Sequence, residues 1–325
     1  MKKRVFSGIQ PSGEIHVGNY IGAIQNWVKL MDDYDCIFCI VDYHAMTKRY
    51  DPANLQRRIL DAAIVNIACG LDPDRCSIFV QSRIVEHAEL AWIFNCITPY
   101  GELQRMTQFK EKSKHQHKNI NVGLLDYPVL QAADILVYKA EVVPVGEDQI
   151  QHIEFSREVA RKFNAAFGRT FPEPQAHIGK HKRLMGLDGK SKMSKSLNNY
   201  IGVLDDEATL WRKLKTAFTD ESRIRKSDPG DPEICNIFTL HEAFSGTEET
   251  GEIGSGCRAG TIGCVDCKKR LHGNLGNHLT PIREKAGKLR RNPQEVWDVL
   301  ERGASDCRKI ARKVMDEVRE KSGLR

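Results

Sequence analysis

A glycine-rich segment near the amino terminus has the residue types and order of a phosphate-binding turn. Residues 8–19 read Gly-Ile-Gln-Pro-Ser-Gly-Glu-Ile-His-Val-Gly-Asn, between an apolar run and a helical pattern. His16, Gly18 and Asn19 would lie at the start of that helix, where unpaired backbone amides and the helix dipole favour phosphate. The order matches neither a Walker loop nor the Gly-x-Gly-x-x-Gly fingerprint. The segment indicates a nucleotide site, and a helix cap with an incidental surface histidine is the alternative.

A second segment concentrates lysines in a polar stretch past the middle of the chain. Residues 190–196 read Lys-Ser-Lys-Met-Ser-Lys-Ser. Lysines on a loop can fold over a triphosphate and act as point charges where negative charge develops on a leaving pyrophosphate. A solvated loop is the alternative explanation of such a charge run.

Four of the ten cysteines form a cluster in the last third of the sequence. Cys235, Cys257, Cys264 and Cys267 are spaced Cys-x21-Cys-x6-Cys-x2-Cys, and residues 246–263 between them hold 6 glycines in 18 residues. A long glycine-rich loop inside a compact domain is uncommon without a clamp, so the spacing suggests a metal site. Zinc sites more often pair two Cys-x2-Cys units, and an iron–sulfur cluster fits the irregular spacing at least as well. An absence of metal is the third possibility.

Alternating strand and helix patterns supply the scaffold that must position these residues. Short apolar runs at 5–9, 36–42, 77–81 and 142–145 predict buried strands, with longer helical patterns between them. Such alternation predicts an α/β fold with a doubly wound parallel sheet, whose ligands bind at the carboxyl ends of the strands. The pattern predicts a first domain over residues 1–200, with a helical insertion at about 83–140 that is a plausible dimer surface. Residues 201–325 are expected to form an all-helical C-terminal domain.

Composition limits the class of protein and its partners. The 325 residues are 41% hydrophobic and 28% charged, which excludes a disordered or low-complexity chain. The net charge is +6, and residues 268–325 hold 16 Lys and Arg against 8 Asp and Glu, an excess that suits a polyanion. The apolar runs are too short for a membrane span or a signal peptide, so we expect a cytoplasmic protein without a membrane partner.

Several motifs occur in the order of a known family. His-Val-Gly-Asn at 16–19 stands for the HIGH motif of class I aminoacyl-tRNA synthetases, and residues 192–196 are the KMSKS motif in full. Between them lie Ile-Val-Asp-Tyr-His-Ala at 40–45, Met-Thr-Gln-Phe-Lys-Glu-Lys at 106–112, Tyr-Pro at 127–128, Ala-Ala-Asp at 132–134 and Val-Pro-Val-Gly-Glu-Asp-Gln at 143–149. Over nearly its whole length the chain resembles the bacterial-type tryptophanyl-tRNA synthetases. Asn19 replaces the last histidine of HIGH, as is usual in that family, and Gln131 stands where many relatives have an apolar residue.

The resemblance implies roles for matching residues. Asp134 would accept a hydrogen bond from the indole N–H of tryptophan, and the tryptophan-binding residues would be Phe6, His44, Tyr127, Asp134 and Gln149. The ATP-binding residues would be Gln10, Gly18, Asn19, Gly146, Asp148, Lys192, Met193 and Lys195. The catalytic residues, which would stabilise the departing pyrophosphate, would be His16, Asn19, Lys112, Lys192 and Lys195.

The resemblance also implies the activity and the partners. The expected enzyme is a ligase that activates L-tryptophan with ATP and Mg²⁺ and transfers it to tRNA(Trp). The first domain would be the Rossmann-like catalytic domain of class I synthetases, and the helical domain would bind the anticodon and carry the four-cysteine site. A subset of the family carries a 4Fe-4S cluster on a related cysteine spacing, with zinc as the alternative here, and the family implies a homodimer. The competing functions are a tyrosyl-tRNA synthetase, a non-charging paralogue that binds tryptophan or tRNA, and a small-molecule adenylyltransferase.

Overall fold

A computed structural model describes residues 2–11, 13–107, 121–179, 184–195 and 197–324. The chain divides into two compact units. The first, which we call the sheet unit, consists of Met1–Ser12, Asn26–Gly179 and Asn292–Arg325. The second, which we call the helical unit, consists of Gly13–Gln25 and Lys180–Arg291. The division differs from the boundary expected at residue 200, because segments from both ends of the chain belong to the unit they pack against.

The sheet unit is built on five parallel strands. They are β1 (Arg4–Ile9), β2 (Asp35–Ile40), β3 (Cys76–Val80), β4 (Val142–Val145) and β5 (Gln175–Ile178). Their order across the sheet is β3-β2-β1-β4-β5, and every neighbouring pair is parallel. The order reverses between β1 and β4, so the crevice at the carboxyl ends of these two strands is the place where such a sheet binds ligands. The expected doubly wound α/β fold is confirmed.

Helices make up most of the remaining described chain. In chain order they are α1 (Val17–Asn19), α2 (Gln25–Asp33), α3 (Asp42–Ala45), α4 (Pro52–Ala68), α5 (Glu86–Asn95), α6 (Tyr100–Arg105), α7 (Val122–Leu136), α8 (Ile150–Phe167), α9 (Glu207–Lys215), α10 (Asn236–Phe244), α11 (Thr247–Arg258), α12 (Cys264–Arg291) and α13 (Pro293–Ser322). A π-helical turn at Tyr20–Ile24 joins α1 to α2. None of the helices in the described ranges has the length and apolar character needed to cross a membrane.

The last helix, α13, returns to the sheet unit and packs on β3. Gly303 makes the close approach possible: a Cβ atom there would lie 2.2 Å from the carbonyl oxygen of Ile78. Ala304, Cys307 and Ala311 follow at helical spacing and are fully buried in the core of the unit. The C-terminal 34 residues of the expected helical domain, 292–325, therefore belong structurally to the sheet unit.

Two local expectations were wrong. Residues 247–258, expected within a glycine-rich loop, form α11, which has Glu248 and Glu249 in its first turn where acidic side chains favour a helix. Strand β5 was not predicted, because only one of its four residues, Ala176, is even half-buried and an edge strand of this kind has little apolar pattern. Helix α7 begins at Val122, where the side chain of Asn121 caps it by accepting a hydrogen bond from the Leu124 amide.

Candidate active site

The HIGH-like segment lies in the helical unit beside the chain that follows the KMSKS-like segment. The amide of Val17 donates to the carbonyl of Ile201, and the amide of Val203 donates to the carbonyl of Ile15, both at 2.9 Å. His16 caps α1: its Nδ1 accepts from the Asn19 amide at 3.2 Å, and the Asn19 Oδ1 accepts from the His16 amide at 3.3 Å. This reciprocal cap fixes the imidazole at the start of the helix.

Lys195 and Lys192 act electrostatically on that imidazole. Burial, followed by the positive charges of Lys195 and Lys192, lowers the pKa of His16 from 6.5 to about 4. His16 is therefore neutral at pH 7, and because Nδ1 accepts a hydrogen bond, Nε2 carries the proton. An Nε2–H beside two ammonium groups is suited to donate to a phosphate oxygen. The structure thus brings His16, Asn19, Lys192 and Lys195 into one electropositive cluster within the helical unit.

The ammonium of Lys195 lies close to the glycine-rich turn. A Cβ atom at Gly13 would be 3.4 Å from Lys195 Cδ and 3.6 Å from its Nζ, and the φ of Gly13 is +69°. The side chain of Lys195 is solvent-exposed overall, yet partial burial lowers the pKa of its ammonium, a shift that Glu14 opposes. Gly18 also approaches the loop, since a Cβ there would lie 3.7 Å from Met193 Cβ. Met193 itself is 4% exposed.

A buried amide holds the KMSKS-like loop in shape. The Asn199 Oδ1 accepts from the Ser194 amide at 2.7 Å, while its Nδ2 donates to the Lys192 carbonyl at 3.2 Å and to Asp188 Oδ2 at 2.9 Å. Gly186 leaves room for this side chain, because a Cβ at 186 would lie 2.1 Å from the Asn199 Nδ2. Sequence reasoning missed Asn199, although its position four residues after Lys195 in a polar loop is a usable signal.

In the sheet unit, Asp134 of α7 is a buried carboxylate with three side-chain partners. Its Oδ1 accepts from Gln81 Nε2 at 2.6 Å and pairs with His87 Nδ1 at 2.7 Å, and its Oδ2 pairs with His44 Nε2 at 2.7 Å. Burial alone would raise the pKa of Asp134, but His44 and His87 outweigh it and hold that pKa below its usual value. Asp134 is 2% exposed. The carboxylate is thus an ionised acceptor in an apolar setting.

Aromatic rings surround this carboxylate. Tyr127 meets His44 edge to face at 6.3 Å between ring centroids, and its hydroxyl lies 2.8 Å from His152 Nε2. Burial raises the pKa of Tyr127, which keeps its hydroxyl protonated. Phe6 of β1 stacks on Tyr138 at 5.6 Å, and the Tyr138 hydroxyl lies 2.7 Å from His87 Nε2. Phe6, His44, Tyr127 and Asp134 therefore lie in one network. Sequence reasoning missed Gln81, His87 and Tyr138, whose partners are far away in the sequence.

The remaining expected ligands lie at the two central strand ends. Gln10 follows β1 and is exposed, and Gly146 follows β4. Asp148 and Gln149 lie in the 3-10 turn after Gly146, where the Gln149 Nε2 donates to Asp148 Oδ2 at 3.0 Å. These positions are at the switch point of the sheet, as expected for ligand contacts. Lys112 lies outside the described residues.

The four cysteines of the helical unit are neighbours. Burial, followed by the charges of Cys235, Cys264 and Cys257, raises the pKa of Cys267 to about 12. The Arg223 guanidinium Nη1 lies 3.8 Å from the sulfur atoms of both Cys257 and Cys264. Within the described ranges, however, no group of three or more His, Cys, Asp or Glu side chains is arranged to hold a metal ion. The metal site therefore stays a proposal.

Comparison with known proteins identifies the family. Residues 1–280 match the family model described as tRNA synthetases class I (W and Y). A tryptophan–tRNA ligase of Deinococcus radiodurans is 52% identical over 326 residues, 99% of this chain and 98% of the relative; one of Thermotoga maritima is 44% identical, covering 99% of both. The crystal structure of tryptophanyl-tRNA synthetase from Campylobacter jejuni complexed with ADP and tryptophan is 36% identical with a TM-score of 0.91, covering 98% of this chain and 99% of that one. The chain belongs to the W and Y family of class I tRNA synthetases.

Proposed function

We propose that this chain activates L-tryptophan with ATP and transfers the tryptophanyl group to tRNA(Trp). The observation that carries the assignment is the buried, ionised carboxylate of Asp134 inside an aromatic cluster at the carboxyl side of a parallel sheet. Such a site suits a large aromatic amino acid that has a hydrogen-bond donor on its ring. The family and the tryptophan-specific names of its close relatives support the same function and favour tryptophan over tyrosine.

Selection of tryptophan would depend on the indole N–H. An ionised carboxylate accepts hydrogen bonds only, so Asp134 would bind a ring N–H and reject phenylalanine or leucine, which leave the buried acceptor unmatched. Phe6, Ile135 and Val143 would form apolar walls around the indole, with His44 near the same pocket. Tyr127 and Gln149 would hold the ammonium group of the amino acid.

The first chemical step needs no nucleophilic side chain. A carboxylate oxygen of tryptophan attacks the α-phosphorus of ATP, and the bond between that phosphorus and the bridging oxygen to the β-phosphate breaks. Tryptophanyl-adenylate forms and pyrophosphate leaves with the bond electrons. His16, Asn19, Lys192, Lys195 and Lys112 would stabilise the developing charge on pyrophosphate, and Mg²⁺ enters as part of the ATP substrate.

Other residues would orient the two substrates. Gln10 would contact the reacting carboxylate or the α-phosphate, with Gly18 and Gly146 allowing close approach of the backbone to ATP. Asp148 would accept a hydrogen bond from a ribose hydroxyl, and the backbone of Met193 would face adenine. Positioning of this kind lowers the barrier by fixing the reactants before reaction.

In the second step the terminal 2′-hydroxyl of tRNA attacks the carbonyl carbon of the adenylate, and AMP leaves. We propose that residues 201–291 of the helical unit bind the anticodon region. The last turn of α12 carries Lys288, Arg290 and Arg291, a charge group that favours the phosphate backbone. Charged tRNA is a substrate of translation, which takes place in the cytoplasm, so the proposed location is the cytoplasm.

Pyrophosphate exchange with each of the twenty amino acids, with and without tRNA, tests the assignment. We expect exchange with tryptophan alone, and charging of tRNA(Trp) when it is added. Exchange with tyrosine, or exchange with no amino acid, would overturn the assignment.

We further propose that Cys235, Cys257, Cys264 and Cys267 hold a 4Fe-4S cluster, with zinc as the alternative. Two observations support a four-cysteine site: the thiols lie close enough to act electrostatically on Cys267, and the positive Arg223 guanidinium lies 3.8 Å from the sulfurs of Cys257 and Cys264. The cluster would stabilise the fold of the helical unit and take no part in catalysis. Anaerobic purification with iron, sulfide and zinc analysis tests the proposal: four iron and four sulfide per chain support the cluster, whereas stoichiometric zinc without iron rules it out.

A homodimer is proposed from exposed apolar side chains of the sheet unit. Val85, Trp92 and Tyr100 are 65%, 71% and 62% exposed, all within the expected insertion at about 83–140. Large exposed apolar side chains of this kind often mark an interface. Sedimentation equilibrium should give twice the chain mass, and Trp92→Glu should shift it towards the monomer; a monomeric parent protein would contradict the proposal.

A further inference from the structure

We propose that His87 is a positioning residue for amino-acid selection: with Gln81, it saturates one oxygen of Asp134 so that only the other oxygen accepts the indole N–H. The inference rests on the proposed role of Asp134. Gln81 Nε2 and His87 Nδ1 both lie within hydrogen-bond distance of Oδ1, at 2.6 and 2.7 Å, whereas Oδ2 has His44 Nε2 at 2.7 Å as its side-chain partner among the described residues.

The lone pairs of the carboxylate define its remaining capacity. Each carboxylate oxygen accepts about two hydrogen bonds in the plane of the group. Oδ1 is therefore fully used by Gln81 and His87, and Oδ2 retains one position after His44. An indole N–H that enters this network meets its acceptor at Oδ2.

Tyr138 fixes the proton position of His87. In the neutral imidazole the Nδ1 that faces the carboxylate must carry the hydrogen, so Nε2 accepts from the Tyr138 hydroxyl, 2.7 Å away. His87 and Tyr138 are both completely buried, so bulk water does not reach either partner. The hydrogen bond from the Tyr138 hydroxyl thus keeps the His87 Nδ1–H as a donor to Asp134 Oδ1. Neither His87 nor Tyr138 needs to touch the substrate.

Substitutions separate this role from packing. His87→Leu removes the donor to Oδ1, and His87→Asn places an amide N–H near the position of the imidazole Nδ1. Tyr138→Phe removes only the hydroxyl that fixes the tautomer. Phe79→Leu is the matched control, because the Phe79 ring packs against His87 and Tyr138, each at 5.9 Å between centroids, without a hydrogen bond.

The readout is selectivity in pyrophosphate exchange. It is the ratio of kcat/KM for tryptophan to kcat/KM for the analogue in which sulfur replaces the indole N–H. In His87→Leu we expect this ratio to fall about tenfold, mainly through KM for tryptophan. The Asp134 carboxylate then loses the hydrogen bond from His87 that holds its Oδ1, and a hydrogen bond to a charged group has about this value. His87→Asn should restore the ratio to within about threefold, Tyr138→Phe should lower it a few-fold, and Phe79→Leu should leave it unchanged.

Asp134→Asn separates failure of this inference from failure of the proposed function. The two donors at Oδ1 would direct the amide oxygen there and the amide NH₂ to the Oδ2 position, where it repels the indole N–H, so the ratio should collapse. An unchanged ratio in Asp134→Asn would overturn the proposed acceptor role itself. If that ratio collapses while His87→Leu keeps the parent ratio, or if Phe79→Leu lowers it as much as His87→Leu does, the role of His87 is refuted and that of Asp134 stands.

Discussion

Replacement of Lys195 by alanine should slow adenylate formation far more than it weakens tryptophan binding. Two unit charges about 4 Å apart interact by about 1 kcal/mol in water and about 4 kcal/mol near a protein surface. The Lys195 side chain is solvent-exposed while its ammonium lies beside the Gly13 turn, so an intermediate value of about 2–3 kcal/mol applies to the charge that develops on pyrophosphate. That range corresponds to a rate loss of about 30- to 150-fold.

Single-turnover formation of tryptophanyl-adenylate, with equilibrium dialysis of tryptophan, separates the two effects. Lys190→Ala is the matched control, because Lys190 is exposed on the same loop. Its hydrogen bond to Asp188 comes from the backbone amide, which the substitution keeps. We expect the control to keep the parent rate within about twofold, since no contact to the electropositive cluster is lost. Equal losses in rate and in tryptophan affinity for Lys195→Ala would refute the proposed stabilisation of pyrophosphate by Lys195. Equal rate losses for the two variants would refute it as well.

The same variant has an independent consequence for His16. Lys195 is one of the charges that hold the pKa of His16 at about 4, so Lys195→Ala should raise that pKa towards 6.5, as measured by NMR titration of labelled histidine. The sign for stability follows from proton uptake. Between pH 6.5 and about 4 the unfolded chain binds more protons at this imidazole than the folded chain, so its contribution to stability is lost as pH falls through that window. An unchanged pKa would mean that the ammonium does not act on the imidazole.

Two further predictions concern packing and tRNA. Gly303→Ala should lower the free energy of unfolding by about 1–3 kcal/mol in urea titrations, because its Cβ would overlap the carbonyl of Ile78, whereas Gly273→Ala in α12, with nothing within 4 Å, should leave it unchanged or raise it by up to about 1 kcal/mol. Lys288→Glu combined with Arg291→Glu should raise KM for tRNA at least several-fold and weaken its salt dependence while sparing pyrophosphate exchange; slowed exchange would contradict an exclusive role in tRNA binding.

The strands that were predicted correctly are those whose burial is visible in the sequence. β2 is buried at five of its six positions and β3 at its last three, and runs of Ile, Phe, Val and Cys show this directly. β5 lies at the edge of the sheet, where pairing with β4 supplies the backbone hydrogen bonds but few side chains are buried. α11 was missed for a related reason: glycine lowers intrinsic helix propensity, yet Gly254 packs closely against Phe238 and the helix is stabilised by tertiary contacts.

The domain boundary was harder to predict than the elements. The spacing of apolar residues in α13 indicates a helix with one buried face, but nothing in that pattern specifies which unit the face covers. The specifying contact, Gly303 against Ile78, joins residues 225 positions apart. Two ion pairs reinforce it, Arg312 with Glu86 at 3.5 Å and Arg319 with Glu89, both on α5. A regular pattern thus predicts the element, and long-range contacts decide its place.

In the candidate site, too, residues placed by local spacing were predicted and residues paired by long-range contacts were not. Motifs with local spacing, such as His16 with Asn19 or Lys192 with Lys195, could be read from the sequence because one helix start or one loop places their members together. The partners of Asp134 could not, because Gln81 lies 53 positions away and His87 lies 47 positions away on a different helix. A buried carboxylate in an apolar helix nevertheless requires donors. The sequence therefore indicates that Asp134 must be paired, whereas the pairs that decide which of its oxygens remains available come from the fold alone.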